Sequence, residues 1–278
     1  MLKRTLITAL TTSLLLCNAF LFAQTTPLAP DATAAKKNYG TTLTVTPMDS
    51  AVTIKKNTVV IAPKKEGAVY TLSGYFNGQV INKTKNTELK LSNVYLENTR
   101  GEAALYGELK TEISSASGTT NYIVSSGSSK EKTAAVQCKK DITLGGSGTL
   151  YVIGSVYHGM KGDDIKIKGS GTQYLQGTKK GAALNCESLT VEPEKTFKAW
   201  FVGSKNGIKA DSEITISSGN FYLYNNETAL KTDKKKDAPA EPHAITLKGG
   251  TFHVHGNETL YSTEKDAYKT IGAVIVEE

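Results

Sequence analysis

Strand-like segments beginning at Ile142, Ile165, Leu189, Ile214 and Ile245 recur after 23, 24, 25 and 31 residues. Periods of twenty-odd residues belong to stacked chain turns, each too small to bury its own apolar face and each covering its neighbour. A propeller, the alternative, needs blades of roughly 40 residues. The last interval is stretched by a charged insertion, KTDKKKDAPAEP. Within each repeat, runs such as DITLGGSGTLYVIG and EITISSGNFYLYNN alternate with a period of two and end in Gly, Asn or Ser. No convincing amphipathic helix follows Ala23. The expectation is an all-β chain, a single-stranded right-handed parallel β-helix (β-solenoid) over residues 57–278.

Aligning the repeats assigns the faces. Ile142 and Leu144, Ile165 and Ile167, Leu189 and Val191, Ile214 and Ile216, Ile245 and Leu247 point inward in one strand. In the strand that follows, Leu150 and Val152, Ala199 and Phe201, Phe221 and Leu223, Phe252 and Val254 do the same. Between the latter sit Tyr151, Tyr174, Trp200, Tyr222 and His253, expected to face outward, one per repeat. Strands stack about 4.7–4.9 Å apart, so five rings would form a strip about 20 Å long. The apolar C–H face of a sugar can lie on such a strip. The competing role is structural, since outward aromatics also support one another across strands.

A second column is acidic: Asp141, then Asp163 and Asp164, then Glu187, then Asp211 and Glu213. Stacked carboxylates repel unless a cation joins them, and calcium, with its six to eight oxygen ligands, suits such a place. The alternative is that these side chains only stabilise turns. Cys138 and Cys186 fall at the same point of repeats that have Gly162 between them, hence two rungs or about 9–10 Å apart. That exceeds the roughly 7 Å a disulfide tolerates, which predicts two free, buried thiols. His253 and His255 share a face, but two histidines make a weak metal site.

Lys3 and Arg4 precede an apolar stretch, and residues 1–23 are expected to be a signal peptide cleaved after Ala23; a retained anchor is the alternative. Export would place the protein outside the cytoplasm: secreted, periplasmic or at the cell surface, with no membrane span after removal of the signal. That removal lowers the formal net charge from +7 to +5. Residues 24–56, rich in Thr, Ala, Pro and Lys, are expected to be a linker and lead-in to the first strands. The positive charge is lysine; only Arg4 and Arg100 are arginines, which makes nucleic acid a poor partner and an acidic polymer a better one. A monomer is expected.

The segments YTLSGYFNGQVI, TELKLSNVYLENTRGEAALYG, YHGMKGDDIKIKGSG and NGIKADSEITISSGNFYL resemble an exported carbohydrate-binding β-helix family. That family is typified by a cellulose- and pectate-binding protein of cellulolytic clostridia and is similar in fold to pectate lyases. The resemblance runs from about Val69 to Gly256. It implies a pectate-lyase-like right-handed β-helix that binds calcium and polysaccharide, cellulose or an acidic pectate-type glycan, without catalysis. The family's Lys-Asp-Asp turn is matched by Gly162, Asp163 and Asp164, and only in part by Lys139, Lys140 and Asp141. A lyase- or polygalacturonase-like enzyme is the runner-up. A lyase would need Arg100, Lys161 or Lys166 as base; a hydrolase would use the Asp163–Asp164 pair, but the other polygalacturonase motifs are absent. A structural or adhesive surface solenoid is the third class.

Overall fold

The computed structural model describes residues 31–233, 244–263 and 267–278. The described residues are all-β apart from the helix Ala32–Lys36 and the 3-10 turn Lys37–Tyr39. Residues 1–23 and most of the charged insertion lie outside the described residues. Among the described residues no helix is long and apolar enough to cross a membrane.

Successive passes of the chain pair in parallel, strand upon strand, in three ladders. The first contains Thr111–Ser115, Ile142–Gly146, Asp164–Ile167, the second half of Ala182–Val191, the second half of Asn206–Ile216, Ile245–Leu247 and Tyr268–Thr270. The second contains Thr120–Ser125, Thr149–Gly154, Thr172–Gln176, Lys198–Val202, Asn220–Tyr224, Thr251–His255 and Val274–Glu277. The third contains Leu105–Gly107, Ala134–Cys138, His158–Lys161, the first halves of Ala182–Val191 and Asn206–Ile216, Thr228–Thr232 and Thr259–Ser262. Antiparallel pairs occur near the beginning: Leu43–Thr46 with Val69–Asn77, and Val52–Lys55 with Thr58–Ile61. The sheet is therefore mixed.

The predicted register holds where the repeats were aligned: Ile142, Ile165, Leu189, Ile214 and Ile245 pair in sequence. All five are buried in one apolar core with Leu144, Ile167, Val191, Ile216 and Leu247. Each such side chain contributes about 1.5–3 kcal/mol by leaving water. Glycines allow the turn between first and second ladders: Gly146 has φ +90°, and a Cβ there would stand 2.2 Å from the Ser115 carbonyl oxygen.

The lead-in read as a linker is built into the structure from Asp31 onward. The Asp31 side chain caps the helix by accepting from the Thr33 and Ala34 amides. Cys138 and Cys186 are both free and buried, with Gly162 between their rungs as predicted. Burial pushes the Cys138 thiol up to about 12.

Candidate functional site

Tyr151, Tyr174, Trp200, Tyr222 and His253 lie directly opposite one another on consecutive strands of the second ladder. Side chains alternate across a strand, so these rings stand on the side away from the apolar core. The column is longer than the sequence alignment found: Tyr75, Tyr95 and Tyr122 continue it in register. Eight rungs give about 34 Å of stacked side chains.

Ring geometry differs along the column. Trp200 and Tyr222 are 4.4 Å apart at 5°, and Tyr222 and His253 are 4.6 Å apart at 8°. Together they present one nearly flat series of rings. Tyr122 stacks on Tyr151 at 4.8 Å and 16°, whereas Tyr151 and Tyr174 are tilted by 46°.

The rings are less open than the alternation implied. Tyr174 is buried, 3 % exposed, and Tyr151, Trp200, Tyr222 and His253 are half-buried. The cause is the next outward position of each strand, where Ile153, Gln176, Val202, Tyr224 and His255 form a parallel column. Tyr174, Val202 and Tyr224 make a small apolar cluster against which Tyr151, Trp200 and Tyr222 pack. The ladder is thus a second, external core with one half-open face, not a row of free rings.

One end of the column is covered by the chain itself. Tyr39 packs on Tyr95 and Tyr122 with centroids 5.7 and 5.8 Å apart, and its hydroxyl donates to the Thr120 carbonyl. Lys36 pairs with Glu97 at 2.6 Å and lies 4.6 Å above the Tyr75 ring; Tyr75 also donates to Glu97. Burial pushes the Tyr95 and Tyr122 phenols up to about 12. Hence the half-open rings are Tyr151, Trp200, Tyr222 and His253, with Tyr174 buried between the first two. At the far end of the column Glu278 accepts from Tyr224 at 2.5 Å and lies 2.7 Å from His253 Nδ1. His255 Nδ1 lies 2.6 Å from the Glu278 carbonyl oxygen.

The acidic column is arranged differently from expectation. Asp164 faces Ser188, which faces Glu213, so these two carboxylates are two rungs apart with a serine between them. Ser188 donates to Asp164 at 2.6 Å. Glu187 stands one residue before that line, its amide donating to the Asp163 carbonyl at 2.8 Å, and the register shift on its other side places two residues, Asp211 and Ser212, opposite it. Asp163 lies 3.6 Å from Lys140, and Asp211 lies 4.0 Å from Lys209. Asp141 precedes Ile142 at the same level as Asp164. Among the described residues no three His, Cys, Asp or Glu side chains form a metal-holding group. A calcium ion there would need turn carbonyls or water to complete its six to eight oxygen ligands.

The profile of the carbohydrate-binding domain-containing protein family matches residues 49–185 and 161–277. The chain belongs to that family. The two overlapping matches agree with its repeated construction. A solved structure, the polysaccharide lyase-like protein from C. thermocellum in a gadolinium derivative, is 20 % identical over 82 % of this chain and 91 % of that one, with a TM-score of 0.52. At that identity the likeness concerns the fold. No curated protein matches.

Proposed function

We propose that this member of the carbohydrate-binding domain-containing family is an exported, non-catalytic polysaccharide-binding protein wound as a right-handed parallel β-helix. Its glycan lies along the second ladder between Tyr151 and His253. The observation that carries this is the near-coplanar series Trp200, Tyr222 and His253, at 4.4 and 4.6 Å with 5° and 8° between planes. Flat, half-exposed rings at strand spacing offer successive sugars an apolar face, and Gln176, with the histidines, supplies polar atoms beside it. Two of the candidate catalytic groups are engaged in ion pairs, Lys166 with Glu192 at 2.6 Å and Asp163 with Lys140 at 3.6 Å.

The test is retention of the exported chain on cellulose, pectate and chitin, with and without a chelator. Retention on at least one glycan without new reducing ends or unsaturated products is expected. Products that accumulate with time would establish the enzyme, and passage through all three columns would leave the structural class. Calcium at the Asp141, Asp163 and Asp164 turns belongs to this proposal only as a stabilising ion completed by turn carbonyls. It would appear as a fall in melting temperature with chelator.

A further inference from the structure

The aromatic column carries two nearly flat triads, and only one of them is open along its length. Trp200, Tyr222 and His253 form the first; Tyr95, Tyr122 and Tyr151 form the second, with centroids 5.3 and 4.8 Å apart and 24° and 16° between planes. Tyr95 and Tyr122 are only 2 % and 4 % exposed. Stacking alone does not close a ring to that degree, because Trp200 and Tyr222 stack more tightly and stay half-open. What differs is Tyr39, which sits against both rings at 5.7 and 5.8 Å, turned 56° and 79° from their planes.

The segment that brings Tyr39 there is shallowly seated. No residue from 31 to 42 is buried, and the helix Ala32–Lys36 is five residues long, too short to hold itself together in water. The segment attaches through the Tyr39 ring, through the Tyr39 hydroxyl on the Thr120 carbonyl at 2.8 Å, and through Lys36 on Glu97 and over Tyr75. Directly behind Tyr39 comes Gly40, at φ +70° and with nothing within 4 Å of a Cβ placed on it. Glycine moves between backbone regions at little steric cost, which suits a hinge. The chain is fixed just beyond: the Thr42 carbonyl accepts from the Tyr75 amide at 3.2 Å, and Leu43–Thr46 pairs with Val69–Asn77.

We propose that residues 31–39 are an autoinhibitory strap, in which Tyr39 occupies subsites on Tyr95 and Tyr122 that a long glycan takes over when the strap swings about Gly40. This rests on the aromatic column being the glycan platform. Tyr39 offers what a bound sugar would, a ring against the tyrosines and a hydroxyl donating to a strand carbonyl. Tyr151 is paired in register with Tyr122, so a glycan lying from His253 to Tyr151 points at the covered rings. A chain longer than about 20 Å therefore meets the strap, whereas a shorter one fits beside it. The rungs of Tyr122, Tyr95 and Tyr75 are gained only with the strap lifted, and apparent affinity for a long chain falls with the fraction of molecules in which it is closed.

The experiment uses the full chain, with pectate, glycol chitin and carboxymethylcellulose as soluble long ligands and the corresponding tetrasaccharides as short ones. In Tyr39→Ala, affinity for the long ligand that binds should rise at least about 10-fold. Lys36→Gln loses the charge that holds Glu97 but keeps the ring packing, and should shift affinity the same way by a smaller factor, which keeps the test alive if Tyr39→Ala does not fold. In the native chain a saturating long ligand should speed tryptic cleavage after Lys36 and Lys37, and a saturating tetrasaccharide should not. Long-ligand affinity equal in the native chain and both variants overturns the strap alone and leaves Tyr39 a structural cover. Cleavage unmoved by the long ligand overturns it as well. No binding of any ligand by any of the three proteins overturns the platform, and the strap with it.

Discussion

Replacing Trp200 and Tyr222 together by alanine is expected to abolish measurable retention on the glycan that the native chain holds. Each ring carries a flat face at the centre of the accessible column, and central aromatic anchors typically contribute about 2–4 kcal/mol, or ~30- to 1000-fold in affinity. Their stacking at 4.4 Å also means that removing one exposes the other. The structural contribution needs a separate control, because Trp200 and Tyr222 pack on the Tyr174, Val202 and Tyr224 cluster. Trp200→Phe/Tyr222→Phe keeps rings at both rungs and should retain most of the binding. If the alanine variant melts earlier but binds as the native chain does, the rings serve the fold alone.

The second large effect is an acid-sensitive stability set by His158. Its ring, 6 % exposed, accepts a hydrogen bond at Nδ1 and faces Lys161, Lys209 and Lys132. Burial and those three charges push its titration down to about 3 in the folded chain, against 6.5 for an unperturbed imidazole. The sign follows from the proton count. Above pH 6.5 neither state is protonated and stability is at its full value. As pH falls from 6.5 towards 3 the unfolded chain takes up a proton that the folded chain refuses, and stability declines. Below 3 the loss is complete. At pH 4.5, two pH units below the unfolded value, the loss is about 2–3 kcal/mol. His158→Gln keeps an acceptor for Ala182 and cannot titrate. The difference between native and variant urea midpoints should therefore change between pH 7 and 4.5. Carboxylates titrate identically in both proteins, so parallel profiles would show that His158 contributes nothing.

The apolar register was legible because it repeats: β-branched residues at Ile142, Ile165, Ile214 and Ile245 return at the same phase, and burial on one side fixes that phase. The same alignment placed the aromatic column and separated the two thiols. It did not reveal the exposure of the rings, because that depends on the flanking column Gln176, Val202 and Tyr224. Nor did it reveal the docking of Tyr39 on Tyr95 and Tyr122, a contact between distant segments with no periodic signal. The acidic column is less regular for a local reason: the Asn206–Ile216 strand carries one extra residue between Ala210 and Glu213 relative to the strand containing Glu187.

Trp200 is the chain's single tryptophan, so its emission reports on the centre of the proposed platform and nothing else. The decisive measurement is a fluorescence titration with soluble oligosaccharides of the glycan that retains the protein. A saturable change in intensity or wavelength, matching the affinity measured by competition for the insoluble glycan, is the expected result. Full occupancy of the glycan site with the tryptophan emission unmoved would contradict the account.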